Sequence, residues 1–381
     1  MVFSEEDIEL LRLVRWCRII LPDTLEAQFP EGAITNLIAF GLIRKHRTSG
    51  ALMLTSKGHS LLETVFRNLP ENTPPVYKDA DTLRRIRLSS VMLTAYRAGM
   101  MVYSTELTDI QEPNTYINLS LTRVRGKNPW DNSRIGGILH LNDWLYAVHY
   151  VCPEIGNILL NKELSSFTNN TSRIREVRRG FLFAGESYES LLEELNREPE
   201  HSDNQRVSYA EAYRQVRLPV HLLSCDDTGA RQLQLMSIPD YRHRITHAAL
   251  RSHYEEANGG NGCWDAMFQG MPFVMAVDMN LRRIDEAIRT AKEAGYPKIA
   301  LVCLEGQAKT VFFPCYQERG LATVYILADD AMTEAAGYEL RLYQPEARQF
   351  ETEEGAVINA PVIKTDRKTG RSCRKPARKL V

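Results

Sequence analysis

No Cys-x-x-Cys pair occurs among the seven cysteines, which are odd in number and scattered from Cys17 to Cys373. That pattern excludes a disulfide framework or a cysteine-based zinc site as the organising device, and it points to reduced thiols in a reducing compartment. No apolar run approaches the roughly 20 residues a membrane span needs, and the opening MVFSEEDIELLRLVRW lacks a basic segment followed by an apolar block. The cytoplasm is therefore the expected location, with no membrane partner. Signatures of cofactor chemistry are missing as well. There is no Gly-x-Gly-x-x-Gly, no P-loop and no Gly-x-Ser-x-Gly elbow, so neither a cofactor nor a nucleophile is expected from motif alone.

Net charge is also small, −1 over 381 residues, but it is unevenly spread. From Lys364 to Val381, eight Lys and Arg stand against Asp366 alone, so an acidic body carries a short basic tail. Such a tail suits polyanion binding or simple solvation. With 44% apolar and 25% charged residues the chain can build a packed core, and its length exceeds one typical core, so two domains are expected.

The first 68 residues read as one unit. Ser4 is placed to cap a helix with Glu5, Glu6 and Asp7 in its first turn, and Leu10, Val14, Cys17 and Leu21 follow at helical spacing until Pro22. Ile34, Leu37 and Ile38 mark a second apolar face that stops at Gly41. Then LIRKH and ALMLT form two short strands around RTSG, and Thr55 or Ser56 caps a closing helix with Leu61, Leu62, Val65 and Phe66.

This order resembles the winged helix-turn-helix of DNA-binding proteins. The run ITNLIAFGLIRKHRTSGALMLTSKG is similar to the part of that fold in which a recognition helix ends in Gly-Leu-Ile and the second wing strand ends in Leu-Thr-x-x-Gly. The resemblance implies double-stranded DNA as partner. Thr35 and Asn36 would read bases, while Arg44, Lys45, His46, Arg47 and Lys57 would meet phosphate. Against this, the helix bearing Thr35 has no Arg or Lys, and residues 1–68 balance eight basic against eight acidic side chains. A protein-docking role stays open.

Residues 69–82, with their prolines, read as a linker, residues 83–360 as an α/β domain and residues 361–381 as a flexible basic tail. Leu83, Ile86, Leu88, Val91 and Leu93 suggest a helix. IGGILHLNDWLYAVHYV suggests a hairpin at Asn142-Asp143, RGFLFAGESYESLLEEL a strand then a helix, and LPVHLLSCDDTGARQLQLMSI another hairpin. MPFVMAVDMNLRRIDEAIRTAKEAGYPKIALVCLE is a strand-helix-strand with Leu281, Ile284, Ile288 and Ala291 as its apolar stripe, and ATVYILA adds a strand. No internal repeat is visible. A mixed sheet covered by helices follows, an α/β (α+β) fold in a layout like a degenerate restriction endonuclease.

A nuclease of that kind needs convergent carboxylates and a lysine. The Asp/Glu-x-Lys pattern occurs only as Asp366-Arg367-Lys368, in the tail; Asp278, Glu305 and Lys309 are the remaining candidate set, and Gln307-Ala308-Lys309 a variant of the motif. His243 and His247 share a helix face, but no third ligand is spaced for a metal with them or with His253. No catalytic or metal residue is therefore assigned. Architecture and the GLIRKH...LMLTSKG run together resemble the replication-relaxation family of bacterial plasmids and conjugative elements. That implies an accessory or regulatory DNA-binding protein of replication, transfer or transcription control. Its other partner would be a second copy of itself or a replication or transfer protein. A metal-dependent nuclease and a protein-interaction scaffold are the alternatives.

Overall fold

The computed structural model describes residues 3–26, 28–29, 32–66, 69–70, 79–104, 110, 112–122, 130, 133–155, 157–198, 206–251, 254–256, 263–342, 349–351, 357–359 and 378–379. The chain divides into two units, residues 1–90 with 343–381, and residues 91–342.

In the first unit Ser4 opens α1 (Glu5–Cys17) with a reciprocal cap, its hydroxyl accepting from Asp7 N at 2.8 Å while the Asp7 carboxylate accepts from Ser4 N at 2.8 Å. Leu10, Val14 and Cys17 are buried, as their spacing requires. Leu21 lies beyond the helix and is exposed. Pro22 does not end α1, which stops at Cys17; it is the first residue of α2 (Pro22–Glu26), where its missing N–H costs nothing. Then α3 (Ala33–Ala39) closes in a Schellman motif, Gly41 N donating to Ile38 O and Leu42 N to Leu37 O, both at 2.9 Å, with Gly41 at φ +68°. The hairpin follows. β1 (Ile43–Lys45) pairs antiparallel with β2 (Leu52–Leu54), and Ile20 adds a bridge on the other side of Leu52. Thr55 caps α4 (Ser56–Val65) by accepting from Gly58 N.

Helix α5 (Asp79–Arg97) runs from the first unit into the second. It takes in residues 79–82, which read as linker in the sequence, and the division falls inside it, between Ser90 and Val91, not at residue 83. Residues 71–78 of the expected linker lie outside the described residues, as do Asp366, Arg367 and Lys368 and the tail except Arg378–Lys379.

The second unit is mixed α/β and is built twice on one plan. After the end of α5 come β3 (Thr115–Asn118), the four-residue α6 (Leu119–Thr122), β4 (Gly137–Leu141) and β5 (Trp144–Tyr150) as an antiparallel meander. A crossover through α7 (Leu160–Asn170) leads to β6 (Arg178–Gly185), parallel to β5. Another through α8 (Tyr188–Asn196) and α9 (Tyr209–Gln215) leads to β7 (Val220–Ser224), parallel to β6, followed by α10 (Asp227–Met236). The same order then recurs. It runs from α11 (Tyr241–Leu250) through the antiparallel β8 (Tyr254–Glu256), β9 (Ala266–Phe268) and β10 (Met271–Met275) to α12 (Leu281–Glu293) and β11 (Ile299–Cys303). The short α13 (Glu305–Gln307) continues as a π-helix (Ala308–Gln317), and β12 (Ala322–Ile326) and α14 (Asp329–Ala336) complete it.

The repeat invisible in the sequence is thus present in the topology, and the registers match. Leu141 pairs with Trp144 across a two-residue turn, as Phe268 pairs with Met271, and each turn opens on a left-handed residue, Asn142 and Gln269, both at φ +51°. Leu182 pairs with His221 where Val302 pairs with Tyr325. Ion pairs from the end of the leading helix to the start of the last, Arg97 to Asp227 and Arg251 to Asp330, also correspond. Apolar contacts need only a residue class at each of these positions, so two copies keep one fold with almost no shared letters.

Residues 218–238 do not form the expected hairpin. Asp226 caps α10 by accepting from Gly229 N at 2.9 Å, and Gly229 lies so close to the Ser224 carbonyl that a Cβ there would sit 1.8 Å from its oxygen. The turn therefore feeds a helix. One continuous core joins the repeats, with Ala147, Phe181, Phe183 and Leu222 from one sheet and Val274, Leu301 and Cys303 from the other, together with the α12 stripe Leu281, Ile284, Ile288 and Ala291. Elsewhere β13 (Gln349–Glu351) pairs antiparallel with β14 (Val357–Asn359) and β15 (Arg378–Lys379).

Candidate nucleic-acid interface

Helix α3 turns Ala33, Ile34 and Leu37 inward, which leaves Thr35 and Asn36 exposed on its outer face. Gly41 then reverses the chain into β1. Ile43 is buried and anchors the strand, while Arg44 and Lys45 are exposed and, as successive strand residues, project to opposite faces. His46 closes the hairpin through its N–H to Ala51 O at 2.6 Å, and its Nδ1 lies 3.0 Å from the Ser49 hydroxyl. Arg47 is exposed in the turn. Among the described residues no ion pair holds Arg44, Lys45 or Arg47. Lys57 is exposed but engaged, its Nζ donating to Phe40 O at 2.8 Å at the C-terminus of α3, where a cation also meets the negative end of the helix.

The floor of this surface is tightly made. Thr55 Oγ1 donates to Gly41 O at 2.7 Å, and Gly58 packs on the Leu42 carbonyl, where a Cβ would lie 2.2 Å from the oxygen. Cys17 is buried at the end of α1, and burial pushes its thiol up to about 12. The bridge made by Ile20 was missed in the sequence, because a single paired residue between Arg18 and Pro22 leaves no periodicity to read.

The residues weighed for nuclease chemistry are placed otherwise. Asp278 is fully buried and accepts from Arg242 Nε at 2.9 Å, from its Nη2 at 2.5 Å and from Tyr241 OH at 3.0 Å. Burial alone would raise its carboxyl, but Arg242 and Arg283 outweigh that and hold it below the usual carboxylate range. Glu305 is exposed at the start of α13 and pairs with Lys309 at 2.5 Å. Gln307 is buried, donating to Val277 O at 2.8 Å and accepting from Leu304 N at 3.0 Å, so it serves the backbone. His243 and His247 share a face of α11 with ring centres 6.5 Å apart; His253 lies outside the described residues. Among the described residues no three His, Cys, Asp or Glu side chains are grouped to hold a metal ion, and no helix is long and apolar enough to cross a membrane. Tyr241 and Arg242 gave no signal in the sequence, since their partner is 36 residues away or more.

Comparison of the chain with known protein families, with curated proteins and with solved structures finds no match.

Proposed function

We propose that the N-terminal unit is a winged helix that binds double-stranded DNA, in an accessory or regulatory protein acting in replication, transfer or transcription control of a bacterial mobile element. The single observation that carries this reading is the set of exposed, unpaired cations Arg44, Lys45 and Arg47 on a hairpin that directly follows the exposed Thr35 and Asn36 of α3. Three exposed cations that form no ion pair among the described residues leave their charges open to an outside partner, and phosphate is the partner that suits them. Helix, bridged residue, two helices and hairpin in that order support the winged-helix reading. On this view α3 enters the major groove and the hairpin straddles the backbone.

The larger unit is read as restriction-endonuclease-like in layout without the acids. Asp265, just before β9, is already engaged by Arg283 at 3.0 Å and by Met275 N at 2.7 Å. The alternative of a metal-dependent nuclease therefore gains no support from Asp265, Asp278 or Glu305. Nicking of supercoiled plasmid with Mg²⁺ or Mn²⁺ that disappears in Asp278→Ala or Glu305→Ala would restore it.

The test of DNA binding is a salt titration on duplexes of random and native-neighbourhood sequence. Arg44→Ala with Lys45→Ala is expected to weaken both about equally and to lower the slope of log affinity against log salt by about one to two. Unchanged affinity and slope would remove the hairpin from the interface.

A further inference from the structure

Two loops of the first repeat, residues 171–177 and 216–219, lead into β6 and β7, and because those strands are parallel both loops lie at the same end of the sheet. Phe181 N donates to Pro219 O at 2.8 Å, which ties the second loop to the start of β6. Arg179 pins the first, its Nη2 donating to Thr171 O at 3.0 Å and to Ile174 O at 3.1 Å. Ile174 and Val216 are buried and anchor the two loops in the core.

This end of the sheet is strongly basic. Residues 171–180 and 213–219 carry Arg173, Arg175, Arg178, Arg179, Arg214 and Arg217 against one acid, Glu176, and no lysine. Arg178 pairs with Asp143. Arg173, Arg175, Arg214 and Arg217 are exposed, and among the described residues no ion pair holds them. The second repeat builds the same end without such a cluster. Its matching stretches, residues 294–301 and 315–321, carry Lys298 and Arg319 against Glu318. The plan of the fold therefore does not call for the arginines.

We infer that this end of the first sheet is a DNA-binding surface of the larger unit, at which exposed guanidinium groups from two loops meet backbone phosphates. Neighbouring strands lie about 4.8 Å apart, so cations from both loops fall within reach of one run of phosphates. The planar fork of arginine suits a phosphate better than the point charge of lysine does. A protein partner would look for an apolar anchor inside a charged rim, and among the described residues no large apolar side chain is exposed in either loop. Trp144 beside them is half-buried, with Arg178 over its ring and Tyr146 stacked against it, so the surface offers charge and not a stacking platform. This surface is separate from α3 and the hairpin and does not rest on their binding DNA.

The test follows salt titrations of the full chain on a random-sequence duplex and on a single strand by fluorescence anisotropy. Arg173→Gln, Arg175→Gln, Arg214→Gln and Arg217→Gln together are expected to lower the duplex slope of log affinity against log salt by about three to four, since each phosphate contact adds about 0.9. Affinity at about 0.1 M salt should fall by more than about tenfold. Replacing the same four arginines by lysine keeps the charge and should keep most of the slope. All four side chains are exposed, so both variants should melt like the parent; should the glutamine variant melt early, the 173/175 and 214/217 pairs are measured separately. The single-strand arm tells which form of DNA the surface holds, and polyglutamate of matched charge should compete poorly. Slopes unchanged on both DNAs would overturn the inference, as would an equal loss in the lysine variant or polyglutamate competing as well as DNA. The Arg44→Ala, Lys45→Ala variant separates this surface from the winged helix: a loss there with the glutamine variant unchanged keeps only the winged helix, and the reverse keeps only this surface.

Discussion

Asn36 and the hairpin cations do different work on DNA, and single substitutions should separate them. An asparagine in the major groove can pair bidentately with adenine, an interaction worth roughly 1 to 3 kcal/mol of discrimination, whereas phosphate contacts are indifferent to sequence. Asn36→Ala is therefore expected to lower affinity for the target site more than for random duplex, measured by competition at fixed salt. Equal losses on both would mean that Asn36 reads nothing. A second residue-scale expectation concerns His221. It is fully buried with Nδ1 2.8 Å from Asp278 O, and burial pushes it down to about 4 against the opposing pull of Asp278; Arg242 and Arg283 push the same way as burial. An unfolded histidine titrates near 6.5, so between about pH 6.5 and 4 the unfolded chain takes up a proton that the folded chain refuses. Stability is complete above that window and falls as the solution is acidified through it. From pH 7 to 5 this one group is expected to remove about 2 kcal/mol of unfolding free energy. His221→Gln should flatten that part of the profile in urea titrations, and an unchanged slope would place the titration elsewhere. For Asp278→Asn the expectation is a loss of about 3 to 5 kcal/mol at pH 7, toward the lower end because Arg242 is partly solvated.

At the scale of elements, the Leu-Thr-x-x-Gly run shows why a motif can be read before its reason is known. Thr55 is needed because its hydroxyl caps α4, and Gly58 because α4 packs directly on the carbonyl of Leu42. Gly58→Ala should force the helix off the hairpin and destabilise the unit by about 1 to 3 kcal/mol, as overpacking does, which thermal melting would register; a neutral result would mean that the helix can slide. Elements with a local cause were legible in this way. The caps at Ser4 and Thr55, the Gly41 stop, the hairpin turn at Asn142 and the α12 stripe each depend on residues within one or two turns of each other. Elements whose local letters fit two structures were not. The stretch LPVHLLSCDDTGARQLQLMSI has apolar residues on both sides of its turn, and the Asp226 cap together with the close approach of Gly229 to Ser224 O makes a helix of the second half. Pro22 looked like a terminator because proline at a first helical position and proline after a helix are the same letter. The candidate site was legible as residue types and order; its engagement was not, since Lys57 is bound to Phe40 O and Arg44 is unpaired for reasons that only the folded hairpin contains.

At the scale of residues 91–342, two repeats of one plan could behave as two small folding units or as one. The bonds between them decide for one. Leu222 N donates to Met279 O at 3.2 Å, Arg282 Nη1 to Val216 O at 2.6 Å and Gln307 Nε2 to Tyr188 OH at 3.3 Å, so the segments that end one repeat are hydrogen-bonded to those that build the other. The core is likewise continuous from Phe181 to Leu301. Neither sheet can open without exposing the apolar face of its counterpart and stranding buried carbonyls, which couples the two openings. Phe181→Ala, in the first repeat, is therefore expected to cost about 3 to 5 kcal/mol and to lower the opening free energy of β10 and β11 amides by the same amount as that of β5 and β6. Native-state hydrogen exchange reads both sets in one experiment. If β10 and β11 kept their full protection while β5 and β6 lost theirs, the repeats would be independent folding units, and the shared core would be a contact surface between them instead of a common interior.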